Sequence, residues 1–572
     1  MSERMHVPAA LWRRPSGSDS ILAHERRRRR TLIRSNAMRS HAVAALAGLL
    51  ILLAGLPPAA AVPMPRLIGA HGRYELQVDG KPYLILGAQV NNSSNYPAML
   101  PQVWPAIAEV DANTVVMPIA WEQIEPHPGR FDFSFLDLFL KQARAHHVHA
   151  ILLWFATWKN GAPGYAPAWV KLDNRRFPRI VNRQGQPVNS LSPLAQTTLN
   201  ADRTAFVALM RHLKAVDPEH TVIMVQVENE TGTWGCVRDY SAQADRLFDG
   251  PVPGRLLRGL HLRPGTWRQV FGPKAGEFFH AWNIARFVDK VAAAGKAVYP
   301  LPMYVNAALR PPFHPGPPIT YESGGPTSDA LPVWKVAAPA INVIGPDIYM
   351  PQSRRYFKVL QQYHLADNPL FVSETGNARL YARYLFAALG QQAIGFSPFG
   401  IDYTGYSNFP LGARRVTART FAPLALEYRL IEPMDSLLAR LSFAGRVRAV
   451  AEPDDGHAQI IKLGRWQARV SYNMPMFGNT PYARPLPGPP EGGALIARLG
   501  PNEFLVTAVH ARVSFELARP RPGEFMIFNR VVQGTYRHGV WKFLRIWNGD
   551  QTDWGLNFTA IPQVLHVHLA TY

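Results

Sequence analysis

A chain of 572 residues with 47% hydrophobic and 11% aromatic content is too long for one minimal domain and too apolar to be disordered. Its formal charge is +21, but the cations are spread through the chain and form no stripe, which argues against a nucleic-acid partner and reads as a solubility trait, with weak attraction to anionic cell-wall polymers as the lesser alternative. The one cysteine, Cys236, excludes an internal disulfide and a cysteine-based metal site, and is expected to be a small packing residue.

Residues 1–61 differ from the rest. Arg26 to Arg30 form a basic run, Met38, Arg39 and His41 precede the apolar stretch AVAALAGLLILLAGL (42–56), and Ala59-Ala60-Ala61 supplies small residues for cleavage. The stretch is short for a membrane span, so the pattern predicts a secretory signal peptide, with a retained anchor as the alternative. The residues before Met38 fit no ordered element, and both Met1 and Met38 are candidate starts. The leader carries ten Arg and three acids, so its removal lowers the charge to +14. The mature protein is expected in the periplasm or outside the cell, with no stable membrane association.

From residue 62 to 440 eight short apolar runs alternate with amphipathic stretches. The runs are YLILGAQV (83–90), TVVMPIAW (114–121), AILLWF (150–155), VIMVQVE (222–228), PMYVNAA (302–308), INVIGPDIY (341–349), LFVSET (370–375) and AIGFSPFG (393–400). Near-continuous hydrophobic strands suit a parallel sheet covered on both faces. Residues 134–147 place Phe135, Leu138, Phe139 and Ala143 on one helix face, with Ser134 as N-cap. Phe278, Trp282, Ala285, Val288 and Ala292 repeat at helical spacing, and Gly295 is expected to end that helix. Eight strand–helix units predict a (β/α)8 TIM barrel; the competing doubly wound sheet lacks a Gly-rich phosphate loop.

Two connections are long, 156–198 and 231–274, and both leave the C-terminal ends of strands, where barrels build active sites. From 441 to 572 the texture changes to alternating segments such as AQIIKLG, WQARVSY, EFLVTAV, ARVSFEL and EFMIFNRV, which predict a C-terminal antiparallel β-sandwich domain. That domain is expected to buttress the barrel. The Pro- and Gly-rich segment 473–493 is expected to be an extended loop. His146, His147 and His149 fall between a helix and the third strand, where a surface turn is expected rather than a metal site.

The fourth run ends in two acids, Glu228 and Glu230, flanking Asn229. Strict alternation puts Met224, Gln226, Glu228 and Glu230 on the inward face, and buried carboxylates are costly unless paired or used. The seventh run ends in Glu374, while Glu122, Glu125, Asp347 and Tyr349 close the second and sixth near the same opening. One strand-end Glu is as readily an ion-pair partner; two facing acids can cleave an acetal, one protonating the leaving oxygen and the other attacking the sugar. Trp121, Trp154, Trp158 and Trp234 lie at strand ends or in the following loops, where their flat faces could stack on a pyranose or pack the rim.

At these residues the chain resembles the clan of (β/α)8 retaining glycosidases. Within it, QVENE followed by TG, with AWEQIEPHPGRFDF and FVSETGN, resembles bacterial β-galactosidases of glycoside hydrolase family 35, in the subgroup with a β-rich C-terminal extension. The resemblance, from about residue 73 onward, implies Glu230 as general acid/base and Glu374 as nucleophile, with Asn229 on the sugar 2-hydroxyl and Tyr349 on the nucleophile. It also implies Glu228 as a neighbouring charge that helps keep Glu230 protonated. Trp121 and Trp154 complete the expected substrate-binding set. No metal or organic cofactor is expected. One departure is the eighth strand, GFSPFGIDY, where many clan members place a Trp and this chain has Phe396, Phe399 and Tyr403. The activity implied is release of terminal β-galactose from oligosaccharides or galactosylated, xyloglucan-type side chains. A β-glucosidase or β-xylosidase of the same clan is the alternative, and a non-catalytic carbohydrate-binding protein a more distant one.

Overall fold

The computed structural model describes residues 62–475, 485–537 and 539–572. The expected signal peptide and the choice of start lie outside the described residues, as does the middle of the 473–493 segment. Among the described residues no helix is long and apolar enough to cross a membrane.

Eight parallel strands close into a barrel in sequential order. They are β1 (Ile85–Gln89), β2 (Thr114–Ala120), β3 (His149–Lys159), β4 (Val222–Asn229), β5 (Met303–Ala308), β6 (Val343–Ile348), β7 (Phe371–Thr375) and β8 (Gly395–Pro398). Each coincides with one of the eight apolar runs. The alternating helices are α1 (Leu100–Val110), α2 (Ser134–Ala145), α3 (Gln196–Val216), α4 (Ala275–Val298), α5 (Leu331–Ala337), α6 (Ser353–Tyr363), α7 (Tyr384–Gly390) and α8 (Ala418–Ile431).

Ile85, Val116, Ile151, Leu153, Phe155, Met224, Tyr304, Val343 and Phe371 fill the barrel interior, so it is a packed core and not a pore. Leu76 and Val78, from an antiparallel sheet ahead of β1 (Arg66–Ala70, Arg73–Val78 and Lys81–Tyr83), join that core and plug the lower end.

Two helix-end expectations differ from the structure. The N-cap of α2 is Phe133; the Asp132 carboxylate accepts the Ser134 N–H at 2.9 Å instead. The α4 helix continues past Gly295 to Val298, because Gly295 serves packing rather than termination. A Cβ there would come within 2.3 Å of the Phe206 ring on α3, so the missing side chain lets α3 and α4 approach.

A helix, α9 (Asp435–Phe443), spans position 440, and β-structure begins at Val447. A six-stranded antiparallel sheet runs in the order Val447–Ala451, Gly493–Arg498, Glu503–Val509, Val564–Thr571, Met526–Arg537, Val540–Trp547. It faces a four-stranded sheet of Gln459–Leu463, Trp466–Tyr472, Ala511–Leu517 and Leu556–Phe558. Ala494, Ile496, Phe504 and Val506 point into the sandwich with Trp466 and Phe515. Their alternates Leu495, Ala497 and Leu505 join the barrel core. The larger sheet is thus buried on both faces, and residues 62–572 form one compact unit. Arg383, ahead of α7 and 1% exposed, adds polar ties to the Glu452 carbonyl at 2.8 Å and the Asp454 carboxylate at 2.7 Å.

This shared core makes the two parts interdependent. Leu505→Ala, on the barrel-facing side, should cost about 2–5 kcal/mol and leave a single thermal transition when followed both by circular dichroism and by activity. Two separated transitions would show that the sandwich folds without the barrel.

Candidate active site

The site lies where strand ends replace apolar side chains with polar ones above the packed interior. Glu374 on β7 receives four side-chain hydrogen bonds. One of its oxygens accepts from Gln89 at 2.7 Å, Asn229 at 3.4 Å and Asn306 at 3.5 Å, and the other from the Tyr349 hydroxyl at 2.6 Å. Asn306, on β5, also donates to Asp347 at 2.7 Å and accepts the backbone N–H of Glu230 at 2.9 Å. One amide therefore ties β4, β6 and β7 together. Ser373 donates to the other oxygen of Asp347 at 2.8 Å. Glu230, Asp347 and Glu374 each bring a carboxylate oxygen within 4.8 Å of the others.

Crowding sets the protonation. Burial, chiefly, and then the Glu374 charge push the Glu230 carboxyl above the usual range, while Lys159, at 3.9 Å, works against them. Asp347 is driven well above its ordinary value by burial and then by the charges of Glu374 and Glu230. Both shifts favour the protonated carboxyl, the direction that suits a proton donor. The same three oxygens are close enough to hold a cation, but those of Asp347 and Glu374 already accept protein donors.

Glu228 does not share a face with Glu230. Its φ is +63° and that of Glu230 is +43°, left-handed values that cost non-glycine residues about 1–3 kcal/mol each. They break the alternation: the Glu228 carboxylate turns to the Trp158 backbone N–H at 2.7 Å and toward Asp202, which with burial raises its own carboxyl. The Asn229 amide instead reaches Glu374. The groups that act on Glu230 are Lys159, Glu374 and Asp347, and Glu228 is not among them.

Trp121 and Trp154 do not line the site. On β3 Leu153 and Phe155 point into the barrel, so Trp154 points outward, against Phe206, with its indole N–H on Asp202 at 2.9 Å. Trp121 is fully buried against Trp169, its N–H on Glu125 at 2.9 Å. Trp158 is buried against Phe287. Trp234 alone of the four keeps an open face, at 54% exposure. On β8 Phe396 is core, and beyond the strand Tyr403 packs on Phe421, leaving Phe399 half-buried with its backbone bridging to Gln89. Glu122 pairs with Lys171 at 2.8 Å.

Gln89, Asn306, Lys159 and Glu322 were not singled out from the sequence. The first two carried a signal, since each is a lone polar side chain near the C-terminal end of an apolar strand. Glu322 did not, because it arrives on the loop after β5. Burial first, then Glu230, raises its carboxyl to about 8. A proton held more tightly in the fold gives stability that is full below the unfolded value near 4.5, declines as pH rises, and is lost above about 8. Glu322→Gln cannot ionise, so its melting temperature should gain on the wild type between pH 5 and pH 9, by on the order of a few kcal/mol in stability. A pH-independent difference would contradict this.

Two family models match the chain. One described as beta-galactosidase, glycoside hydrolase family 42, matches residues 102–282, and one described as a domain of unknown function (DUF5597) matches residues 424–559. The first runs from α1 into α4 and contains Glu230 but not Glu374. A curated beta-galactosidase from Xanthomonas manihotis is 30% identical over 260 residues, covering 40% of this chain and 40% of that one. Among solved structures, a beta-galactosidase from Bacillus circulans sp. alkalophilus is 13% identical with a TM-score of 0.46, covering 62% of this chain and 57% of its own. The exo-beta-1,4-mannosidase Op5Man5 from Opitutaceae bacterium strain TAV5 is 15% identical with a TM-score of 0.36, covering 58% and 54%. The chain thus spans less than two thirds of each relative's length. The sequence matches support a beta-galactosidase-like glycoside hydrolase, and the family model over residues 102–282 is that of family 42, where the motifs resembled family 35.

Proposed function

We propose that this protein is an exported, retaining glycoside hydrolase that removes terminal non-reducing β-D-galactose from oligosaccharides or polysaccharide side chains, xyloglucan-type chains included. The observation that carries the reading is the meeting of Glu230 and Glu374, from strands far apart in sequence, with oxygens no more than 4.8 Å apart. Retaining pairs stand about 5–5.5 Å apart and inverting pairs about 6.5–9.5 Å apart, since inversion needs room for a water. The family-35 motifs at QVENE and FVSETGN remain the finer family reading.

Glu374 is the nucleophile. Tyr349 and Gln89 hold its two oxygens, fixing the carboxylate for attack on the anomeric carbon. Glu230, protonated in the crowded cluster, gives its proton to the departing glycosidic oxygen as the C–O bond breaks, and a galactosyl ester forms on Glu374. Glu230, now ionised and steadied by Lys159, takes a proton from water, which displaces the ester with the β configuration kept. The amide oxygen of Asn229 is buried without a protein partner, which suits acceptance of a sugar hydroxyl proton. Walls after β3, with a hairpin (Arg179–Val181, Pro187–Leu191), and after β4, with three short helices between Ala242 and Phe271, favour chain ends over internal linkages.

A panel of 4-nitrophenyl glycosides, with proton NMR of the first-formed sugar, tests this. β-Galactoside should be preferred and β-galactose should appear first; an α-anomer first, or preference for a glucoside or xyloside, would overturn the mechanism or the substrate. Glu230→Gln should lower kcat on an oligosaccharide by about 10²–10⁴-fold and far less on an activated aryl galactoside. Tyr349→Phe, losing one donor to the nucleophile, should lower kcat by about 10-fold or more with little change in KM. Inertness toward every glycoside would favour a carbohydrate-binding role.

A further inference from the structure

Beside Glu230 two loops are stitched into a corner that the mechanism leaves unused. Thr233, on the loop after β4, and Ser323, on the loop after β5, exchange backbone hydrogen bonds at 3.0 and 3.2 Å. The approach is tight enough to require glycine: at Gly232, with φ +137°, a Cβ would lie 2.6 Å from that of Glu322. The Glu322 carboxylate, 4% exposed, accepts the indole N–H of Trp234, and the Trp234 ring stays 54% exposed. A large aromatic left half-open while its polar edge is tied to a buried acid is a pre-oriented flat surface, costing little entropy when a partner stacks on it.

Its place relative to the catalytic acids gives the partner. Trp234 follows Glu230 by four residues on the same loop, and Glu230 is the catalytic carboxyl whose charge Glu322 feels. An acid/base residue stands at the leaving-group oxygen. We infer that the Trp234–Glu322 corner is the leaving-group subsite, in which the Trp234 indole stacks on the sugar ring that carries the departing oxygen. Saccharide aglycones are then selected over small or flexible ones. The inference rests on the glycosidase reading above and adds the class of leaving group.

The test compares two galactosyl donors. β-D-Galactopyranosyl fluoride has no leaving-group ring, whereas lactose departs with a glucose. For Trp234→Ala the ratio of kcat/KM for lactose to that for the fluoride should fall about tenfold from the wild-type ratio. Trp234→Phe should recover most of the ratio, and Glu322→Ala, which frees the indole, should lower it in the same direction. If Trp234→Ala lowers both donors equally, or leaves the ratio unchanged, the corner is a loop staple only and the inference fails. A wild-type enzyme inert on both donors would instead sink the galactosidase reading, and this subsite with it.

Discussion

Three carboxyl groups within 4.8 Å of one another, two of them buried and the third nearly so, cannot all be ionised. That constraint organises the mouth of the barrel. Donors converge on Glu374 from β1, β4, β5 and the segment after β6, so negative charge is best accommodated there. Protons are left to Glu230 and Asp347. The distribution of amides and hydroxyls around otherwise similar side chains is what sets Glu374 apart from Glu230 and Asp347. Asn306 is central because it touches all three acids' strands at once. Such a cluster is a coupled system, and its protons belong to the group rather than to one residue.

The strained backbone serves the same end. Left-handed residues at 228 and 230 turn a strand that would otherwise aim two acids into one hollow into one that sends Glu228 outward, Asn229 onto Glu374, and Glu230 to the rim. The hydrogen bonds from Asn160 to the Asn229 carbonyl at 3.2 Å and from Gly161 to the Glu230 carbonyl at 3.1 Å hold this turn against the β3 loop. The C-terminal sandwich contributes at a distance. Its larger sheet gives one face to the barrel core, which secures the helices around β7 and β8 without reaching the carboxyl cluster.

Much of this was legible in the sequence. Eight apolar runs give the barrel strands because a sheet covered on both faces leaves no polar alternation to blur them. Glu230 and Glu374 stood out as acids where such runs end. What the sequence hid is what depends on local dihedrals and on loops. Alternation predicts a common face for Glu228 and Glu230 and cannot foresee two positive φ values. Trp121 and Trp154 had the right chemistry, but on β3 the parity that sends Leu153 and Phe155 inward sends Trp154 under α3. Gln89 and Asn306 show in the sequence only as polar interruptions of apolar runs, a signal too slight to mark a site. Glu322 has no local signature, since a long loop sets its place and only the fold brings it to Glu230.

On the proposed mechanism Glu374 forms a covalent bond to the sugar, opposite Glu230. Incubation with 2-deoxy-2-fluoro-β-galactosyl fluoride, followed by proteolysis and mass spectrometry, tests it most directly. The fluorine at C2 slows both steps through their oxocarbenium-like transition states, and the fluoride leaving group keeps formation of the ester faster than its hydrolysis, so the ester accumulates. One fluorogalactosyl group is expected on the peptide containing Glu374, with loss of activity in step with labelling. A label on Glu230 or Asp347, or inactivation-free turnover that gives the inverted sugar, would contradict it.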